Sequence, residues 1–169
     1  MKTTRQLAIC AMISALGVVL MLLGYLIGIG TYAAPILVSL CMLPVWREFG
    51  TKPFFCVWIA ISILSLILIR DPEQALMFFA FFGWYPAVAF VLERLPKMLR
   101  LLAKLLIFNT VIIAVELLLM KVIAPEAESP VLLIVLLVMG NGVFLLYDLL
   151  IPRFLRMYEK RLRRFLIRK

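Results

Sequence analysis

The sequence contains no histidine, and this absence removes several kinds of chemistry. Without an imidazole there is no Ser–His or Cys–His nucleophile pair, no histidine metal site and no general base that titrates near neutral pH. The chain also lacks a Walker loop and any motif with the spacing of metal ligands. We therefore predict that the protein is not an enzyme and that it uses no metal and no cofactor.

Cysteine is scarce as well, with three residues and no CxxC spacing among them. Cys10, Cys41 and Cys56 lie within or beside apolar runs, where a free thiol behaves as a small hydrophobic group. The pattern predicts packing residues, with neither a structural disulfide nor a zinc site.

Charged residues make up only 16% of the 169 residues, whereas hydrophobic residues make up 66%. An ordinary soluble domain of this length does not bury so much apolar surface. The first apolar run continues past Gly24, which is too long for the core of a typical signal peptide. We predict a multi-pass protein of a bacterial plasma membrane, surrounded mainly by the lipid bilayer.

Six apolar runs approach the length of about 20 residues that a helix needs to cross a bilayer. They are too long and continuous for barrel strands, and open strands do not span lipid. The sequence therefore predicts an all-α six-helix transmembrane domain over residues 1–152 and a basic cytoplasmic tail over residues 153–169. The predicted spans cover residues 6–26, 31–45, 53–69, 73–92, 101–120 and 130–151.

The positions of lysine and arginine predict the orientation of this bundle. Of the 18 basic residues, all but Arg70 and Lys121 fall in the two termini or in the connections after the second and fourth spans. Basic residues of membrane proteins concentrate on the cytoplasmic side, so both termini are predicted to be cytoplasmic. This asymmetry accounts for the net charge of +9 without nucleic acid as a partner.

The tail, IPRFLRMYEKRLRRFLIRK, repeats its apolar residues at helical spacing, with arginine and lysine on the remaining face. It is predicted to form an amphipathic helix that lies on the anionic inner leaflet or docks onto a protein partner. The apolar positions are Phe154, Tyr158, Leu162, Phe165 and Leu166.

Four polar residues interrupt the fifth and sixth spans with the same spacing. Asn109 and Glu116 are seven residues apart, as are Asn141 and Asp148, so each pair shares one helix face. If these antiparallel faces meet, they form a polar ladder through the bundle, because intramembrane polar groups face the interior and need partners.

Two kinds of role remain open for these residues. Asn109 and Asn141 suit interhelical hydrogen bonds, and Asp148 suits an ion pair near Arg153 or an interfacial position. Glu116 is either a structural carboxyl group or a functional one that binds a ligand or carries a proton. The nearest cation in sequence, Lys121, is poorly placed on the helix face to pair with it.

Glycine and aromatic residues mark two further segments. FFAFFGWYP, residues 78–86, contains Gly83 and Pro86, which loosen a helix; Trp84 and Tyr85 fit either the bundle or an interfacial belt. GYLIGIGTYAAP, residues 24–35, has three glycines that interrupt helix continuity. This uncharged connection is either a lid over an outward-facing site or a simple connector.

The first span, TRQLAICAMISALGVVLMLLG, combines a basic start with small residues at Ala8, Ala11 and Ala15. With the six-span topology and the apolar first outer loop, it resembles the substrate-binding S component of energy-coupling factor transporters. The resemblance implies that Ala11 and Ala15 contact a transmembrane scaffold subunit joined to two ABC ATPases. It implies a small-molecule ligand, such as a vitamin, in the outer half, where Tyr32, Glu116, Asn141 and Asn109 are the candidate binding residues.

Two other functions are consistent with the same sequence. A small non-catalytic scaffold of cell-wall elongation, similar to the rod-shape protein MreD, has comparable size and topology and needs no ligand pocket. A small ion-coupled carrier that uses Glu116 is the third alternative.

Overall fold

The computed structural model describes residues 2–28, 30–122 and 130–162, and within these ranges the chain is helical with no strand. The helices are α1 Lys2–Ile27, α2 Gly30–Phe49, α3 Thr51–Leu68, α4 Pro72–Met77, α5 Tyr85–Leu92, α6 Lys97–Val122 and α7 Pro130–Met157. Together, α4, a π-helical turn and α5 form one span, and each of the other helices is a span of its own.

Five of the described helical segments are long and apolar enough to cross a membrane: Thr4–Ile27, Thr51–Leu68, Pro72–Leu92, Lys97–Leu119 and Leu137–Lys160. A sixth helix, α2, has 20 residues but contains two prolines and ends beside Arg47. The predicted all-α membrane architecture is thus confirmed, with five to six membrane-length helices.

The surface of the bundle is rich in large aliphatic side chains. Leu7, Ile67 and Leu106 are 73%, 73% and 66% exposed, and many similar residues of α1, α3, α6 and α7 point outward. Contiguous apolar surface on this scale is unusual for a protein in water. It is the surface expected of helices that contact lipid.

The core lies around the span Pro72–Leu92, more than half of which is buried (56%). Phe81 in this span packs edge-to-face against Phe108 of α6 and Phe144 of α7, with ring centroids 5.1 and 5.7 Å apart. Phe108 and Phe144 stack on each other at 4.5 Å. Offset and edge-to-face rings are the favoured arrangements, so this aromatic cluster holds three spans together.

The span Pro72–Leu92 is not a regular α-helix. Residues Phe78–Phe82 form a π-helical turn, closed by a hydrogen bond from the Gly83 amide to the Phe78 carbonyl oxygen (2.8 Å). The indole of Trp58 lies against Gly83, so that an added Cβ would be 2.0 Å from its Cδ1. The sequence correctly indicated a disturbed helix here, and Gly83 permits the close approach of α3.

The first and second connections are both very short. Gly28 and Gly50 adopt φ angles of 72° and 85°, which favour glycine because other residues meet steric strain there. The glycine-rich stretch predicted as a loop is therefore mostly helical, since α2 already begins at Gly30. We refer below to the two ends of the bundle as the Gly28 end and the Gly50 end.

The seventh helix continues through Pro152 to Met157 and is followed by a π-helical turn, Tyr158–Leu162. No helix break separates the predicted domain over residues 1–152 from the tail. Tyr158, one of the predicted apolar positions, is buried (1% exposed), and Glu159 bonds Arg47 at 2.8 Å. Phe165 and Leu166 lie outside the described residues, so the predicted amphipathic tail remains a prediction.

We predict that Gly83→Ala destabilises the bundle. The φ of Gly83 is −69°, which any residue adopts, so the cost is steric. Trp58 is held by stacking on Phe79 and has little freedom to move away. Overpacking of this kind costs about 1–3 kcal/mol, which a thermal melt in detergent detects.

Gly142→Ala is the matched control, because an added Cβ at this helical glycine meets nothing within 4 Å. It is expected to leave the melting temperature unchanged or slightly higher, since alanine favours a helix over glycine. Equal melting temperatures for the two variants would contradict the packing of Trp58 on Gly83.

Candidate functional site

Asn109 of α6 and Asn141 of α7 form a closed pair of amides. The Asn109 Nδ2 donates to Asn141 Oδ1 at 3.1 Å, and the Asn141 Nδ2 donates to Asn109 Oδ1 at 2.9 Å. Each Nδ2 also donates to the carbonyl oxygen four residues earlier in its own helix, Leu105 at 2.9 Å and Leu137 at 2.7 Å. All amide protons and both oxygens thus have partners, as expected for interhelical hydrogen bonds in a membrane.

A buried ion pair joins the same two helices nearer the Gly50 end. Lys104 Nζ donates to both carboxylate oxygens of Asp148, at 2.7 and 2.8 Å, and the Tyr85 hydroxyl donates to Asp148 Oδ1 at 2.7 Å. The side chains of Lys104 and Asp148 are only 7% and 22% exposed. Each charge is therefore satisfied by direct contacts, as a charge removed from water requires.

Tyr147 adds a further polar contact beside this ion pair. Its hydroxyl bonds the Ser39 hydroxyl of α2 and lies 3.4 Å from the Phe82 carbonyl oxygen. The rings of Tyr147 and Tyr85 are 5.7 Å apart. Tyr147 consequently ties α2 to α7 through a side chain with no exposed surface.

The Gly28 end carries a different group of polar side chains, Tyr32, Glu73 and Glu116, which we call the carboxylate cluster. The Tyr32 hydroxyl donates to Glu73 Oε1 at 3.1 Å. Glu116 of α6 lies close enough to interact electrostatically with Glu73 and with Tyr32. The Tyr32–Glu73 bond thus joins α2 to α4, and Glu116 lies on α6 at the same end of the bundle.

One oxygen of this cluster lacks a partner. Glu116 Oε1 is buried and makes no hydrogen bond within the described part of the chain. The described residues also provide no ion pair to Glu73 or Glu116. A buried carboxyl oxygen without a donor is costly, so this position is suited to a ligand that supplies one.

Glu73 is held in place by the start of α4. Asp71 caps this helix by accepting the backbone amide of Glu73 on its Oδ1 (3.1 Å), and Pro72 occupies the first turn. Such caps are typical of helix N-termini because they satisfy amides that lack a partner within the helix. The cap fixes the backbone from which Glu73 reaches Tyr32.

A cavity of about 570 Å³ opens beside the carboxylate cluster, between α2 and α7. Tyr32 and Glu73 supply its polar groups. Tyr147 also lines the cavity, but its hydroxyl is bonded to Ser39 in the core, and the rest of the wall is apolar. The other lining residues are Gly28, Ala33, Ile36, Leu37, Val143, Leu146 and Leu150. Concave, mostly apolar sites with a few placed polar groups are typical of small-molecule binding.

The cavity has an acidic end and an apolar remainder. A cationic or hydrogen-bond-donating group fits the acidic end, and an apolar body fits the remaining wall. Among the residues that the structure describes, no group of three His, Cys, Asp or Glu side chains is placed to hold a metal ion.

The structure separates the four predicted binding residues into two places. Tyr32 and Glu116 both lie at the Gly28 end, where Tyr32 bonds Glu73 and lines the cavity, whereas Glu116 is not among the lining residues. Asn109 and Asn141 lie roughly 10 Å further along α6 by helical rise, bonded to each other. Their predicted role in ligand binding remains a prediction, while their role as interhelical hydrogen-bond partners is observed.

Other residues of the site were not predicted. Glu73 was not among the predicted binding residues, because a contact between a tyrosine and a glutamate on different spans cannot be seen in the sequence. Lys104 was assigned to a cytoplasmic connection, but it is the partner of Asp148 in place of Arg153. Tyr85 is fully buried, so the interfacial-belt alternative is wrong for this residue.

Searches of protein-family models, of curated proteins and of solved structures found no match to this chain.

We predict that the Lys104–Asp148 contact stabilises the bundle cooperatively. Lys104→Met and Asp148→Asn alone are each expected to cost up to about 3 kcal/mol, because each leaves a poorly compensated buried group. The double variant is expected to lose less than the sum of the two, which a double-mutant cycle of unfolding free energies in mixed detergent measures.

The exposed pair Arg47–Glu159 is the matched control, since its side chains are 49% and 35% exposed. The corresponding cycle with Arg47→Met and Glu159→Gln is expected to give a coupling energy below about 1 kcal/mol. Equal coupling in both cycles would show that burial of Lys104 adds nothing.

Proposed function

We propose that the chain is a membrane-embedded, non-catalytic substrate-binding subunit for uptake of a small molecule, working with a transmembrane scaffold subunit and ABC ATPases. The ligand site is the cavity between α2 and α7 together with the carboxylate cluster. The observation that carries this proposal is a cavity of ligand size whose wall includes the hydrogen-bonded pair Tyr32 and Glu73. Glu116 belongs to the same cluster but is not among the lining residues, and its buried Oε1 has no described partner.

The energetics of the carboxylate cluster support a ligand with a positive or donating group. Two carboxyl groups near each other in a poorly solvated site repel when both are ionised. A ligand ammonium or amide would relieve that repulsion and supply the missing hydrogen-bond donor. The apolar walls, including Leu37 and Leu146, suit the remainder of a small organic molecule.

The distribution of basic residues supports an orientation with the site facing outward. Arg47, Lys52, Arg94 and Lys97 lie at the Gly50 end, whereas Arg70 and Lys121 lie at the opposite end. By the positive-inside rule the Gly50 end and both termini are cytoplasmic. The carboxylate cluster then lies in the outer half, where a subunit for uptake meets its substrate.

The exposed face of α1 supports association with a scaffold subunit. Ala8, Ala11 and Ala15 are all exposed. The segment Thr4–Ile27 of α1 is the least buried of the five membrane-length segments (17%). On the inward face of the helix, Gly17 lies against Ile61 of α3. Small residues that face lipid in the monomer allow another helix to approach closely.

The same alanine face favours a second candidate, a non-catalytic membrane scaffold of cell-wall elongation (MreD-like). A scaffold needs a partner helix on α1 but no ligand beside Glu116. The two candidates therefore differ in what Glu116 does, and the first experiment below separates them.

We predict that Glu116→Gln weakens ligand binding without destabilising the fold. The substitution keeps the shape of the side chain and removes the charge, so loss of a charge-assisted bond should lower affinity by about 1–3 kcal/mol. This corresponds to roughly 5- to 150-fold at 1.4 kcal/mol per factor of ten. Native mass spectrometry of the protein purified from its own cells measures the fraction carrying a small molecule.

Glu93→Gln is the matched control, because Glu93 is exposed just after the span Pro72–Leu92, at the opposite end of that span from Glu73. It is expected to keep the occupancy of the wild type, whereas Glu73→Gln should reduce it together with Glu116→Gln. No bound small molecule in the wild type, or equal occupancy in all variants, would favour the scaffold over the binding subunit.

We predict that replacing Ala11 and Ala15 with leucine disrupts association with the scaffold subunit. Leucine adds bulk that blocks close approach of helices, while lipid solvates it as readily as alanine. Affinity purification from native membranes, followed by identification of a co-purified scaffold and ABC ATPases, measures the association.

Ala114→Leu is the control, since Ala114 is an exposed alanine on α6. It should leave the complex intact, and the melting temperature of all variants should stay close to that of the wild type. If the variant with both Ala11 and Ala15 replaced still formed the complex, α1 would not be part of the interface.

A further inference from the structure

A second cavity, of about 380 Å³, lies between α1 and α3 near the Gly50 end. Two of its six lining residues are cysteines, Cys10 of α1 and Cys56 of α3. The others are Gln6, Leu7, Lys52 and Pro53. Nothing in the ligand site or the alanine face uses this pair of thiols.

The packing of the two helices brings the thiols to one level. α1 and α3 run in the same direction, because α2 returns the chain between them through short turns. Gly17 lies against Ile61, and Cys10 and Cys56 precede these residues by about 10 and 8 Å of helical rise. Both cysteines line the same cavity, so their side chains border one shared space.

Neither thiol of the pair is fully buried. Cys56 is exposed and Cys10 is half-buried, and both are free. Lys52 lies one helical turn before Cys56 and lines the same cavity. Exposure leaves a thiol accessible to small oxidants, and accessibility is one of the factors that set its susceptibility to oxidation.

We propose that Cys10 and Cys56 form a redox-active dithiol that a peroxide oxidises to a disulfide between α1 and α3. The thiolate of Cys56 attacks one peroxide oxygen, which breaks the O–O bond and gives a sulfenic acid and, after protonation, one water. The Cys10 thiol then displaces the second oxygen as water and forms the S–S bond. The two thiols lose two electrons, and hydrogen peroxide is reduced to two molecules of water.

The reaction is reversible by an external thiol, which attacks the disulfide through a mixed-disulfide intermediate. Cys41 lies on α2 and does not line this cavity, so it has no such partner. Cys41 therefore serves as an internal control for the Cys10–Cys56 pair.

The test uses the full chain in membrane vesicles. Vesicles are treated with hydrogen peroxide, remaining thiols are alkylated with N-ethylmaleimide, and peptides are mapped by mass spectrometry. The expected product is an intrachain Cys10–Cys56 linked peptide that disappears after dithiothreitol, with Cys41 still alkylated. Cys41→Ser should give the same linked peptide, and Cys10→Ser and Cys56→Ser should give none.

Three results would overturn the proposal. They are alkylation of Cys10 and Cys56 after peroxide as complete as before it, oxidation of Cys56 to higher acids without linkage, and linkage only between two chains. The wild-type experiment alone separates these outcomes, so the proposal stays testable if a serine variant does not accumulate.

Discussion

The contact between Lys104 and Asp148 is the interaction around which the rest of the bundle is arranged. It joins α6 to α7, and the Tyr85 hydroxyl adds the span Pro72–Leu92 to the same carboxylate. In lipid there is no water to satisfy a charge, so the three groups must stay together whenever the protein is folded. The rings of Phe81 and Phe144 pack on the ring of Tyr85, whose hydroxyl bonds this carboxylate.

The two ends of the α6–α7 pair consequently differ in whether their acidic side chains have bonding partners. Near the Gly50 end, the carboxylate of Asp148 is fully matched by Lys104 and Tyr85. Near the Gly28 end, Glu116 has one oxygen with no described partner. The Asn109–Asn141 pair lies between them and fixes the register of α6 on α7. A single helix pair thus carries one acidic residue whose carboxylate is bonded on both oxygens and one with an oxygen that has no described partner.

Much of the fold was predictable because lipid imposes simple rules on sequence. Continuous apolar runs identified the membrane-length helices, and the seven-residue spacing brought Asn109 to Asn141 as predicted. The partners of charges were harder to predict. The prediction counted Lys104 among the charges that flank the spans. In the structure, Lys104 lies in the second turn of α6, and its long aliphatic stem carries the ammonium group inward to Asp148.

The candidate site was predictable only in part for a related reason. Tyr32 and Glu116 were identified from position and polarity, but Glu73 depends on a capped turn that re-aims the chain after Asp71. The cavity itself depends on how α2 and α7 are placed relative to each other, which no local sequence pattern predicts. The proximity of Cys10 and Cys56 depends likewise on the packing of Gly17 against Ile61, a contact between residues distant in sequence.

Tyr147 and two leucines give the cavity between α2 and α7 boundaries of unequal stiffness. Tyr147 is fully buried and its hydroxyl is bonded to Ser39 inside the core, so it cannot swing aside without breaking a buried hydrogen bond. Leu37 and Leu146 also line the cavity but are 52% and 59% exposed, so less packing holds their rotamers. A ligand bound as we propose would therefore be constrained in shape beside Tyr147 and accommodated more loosely beside the leucines.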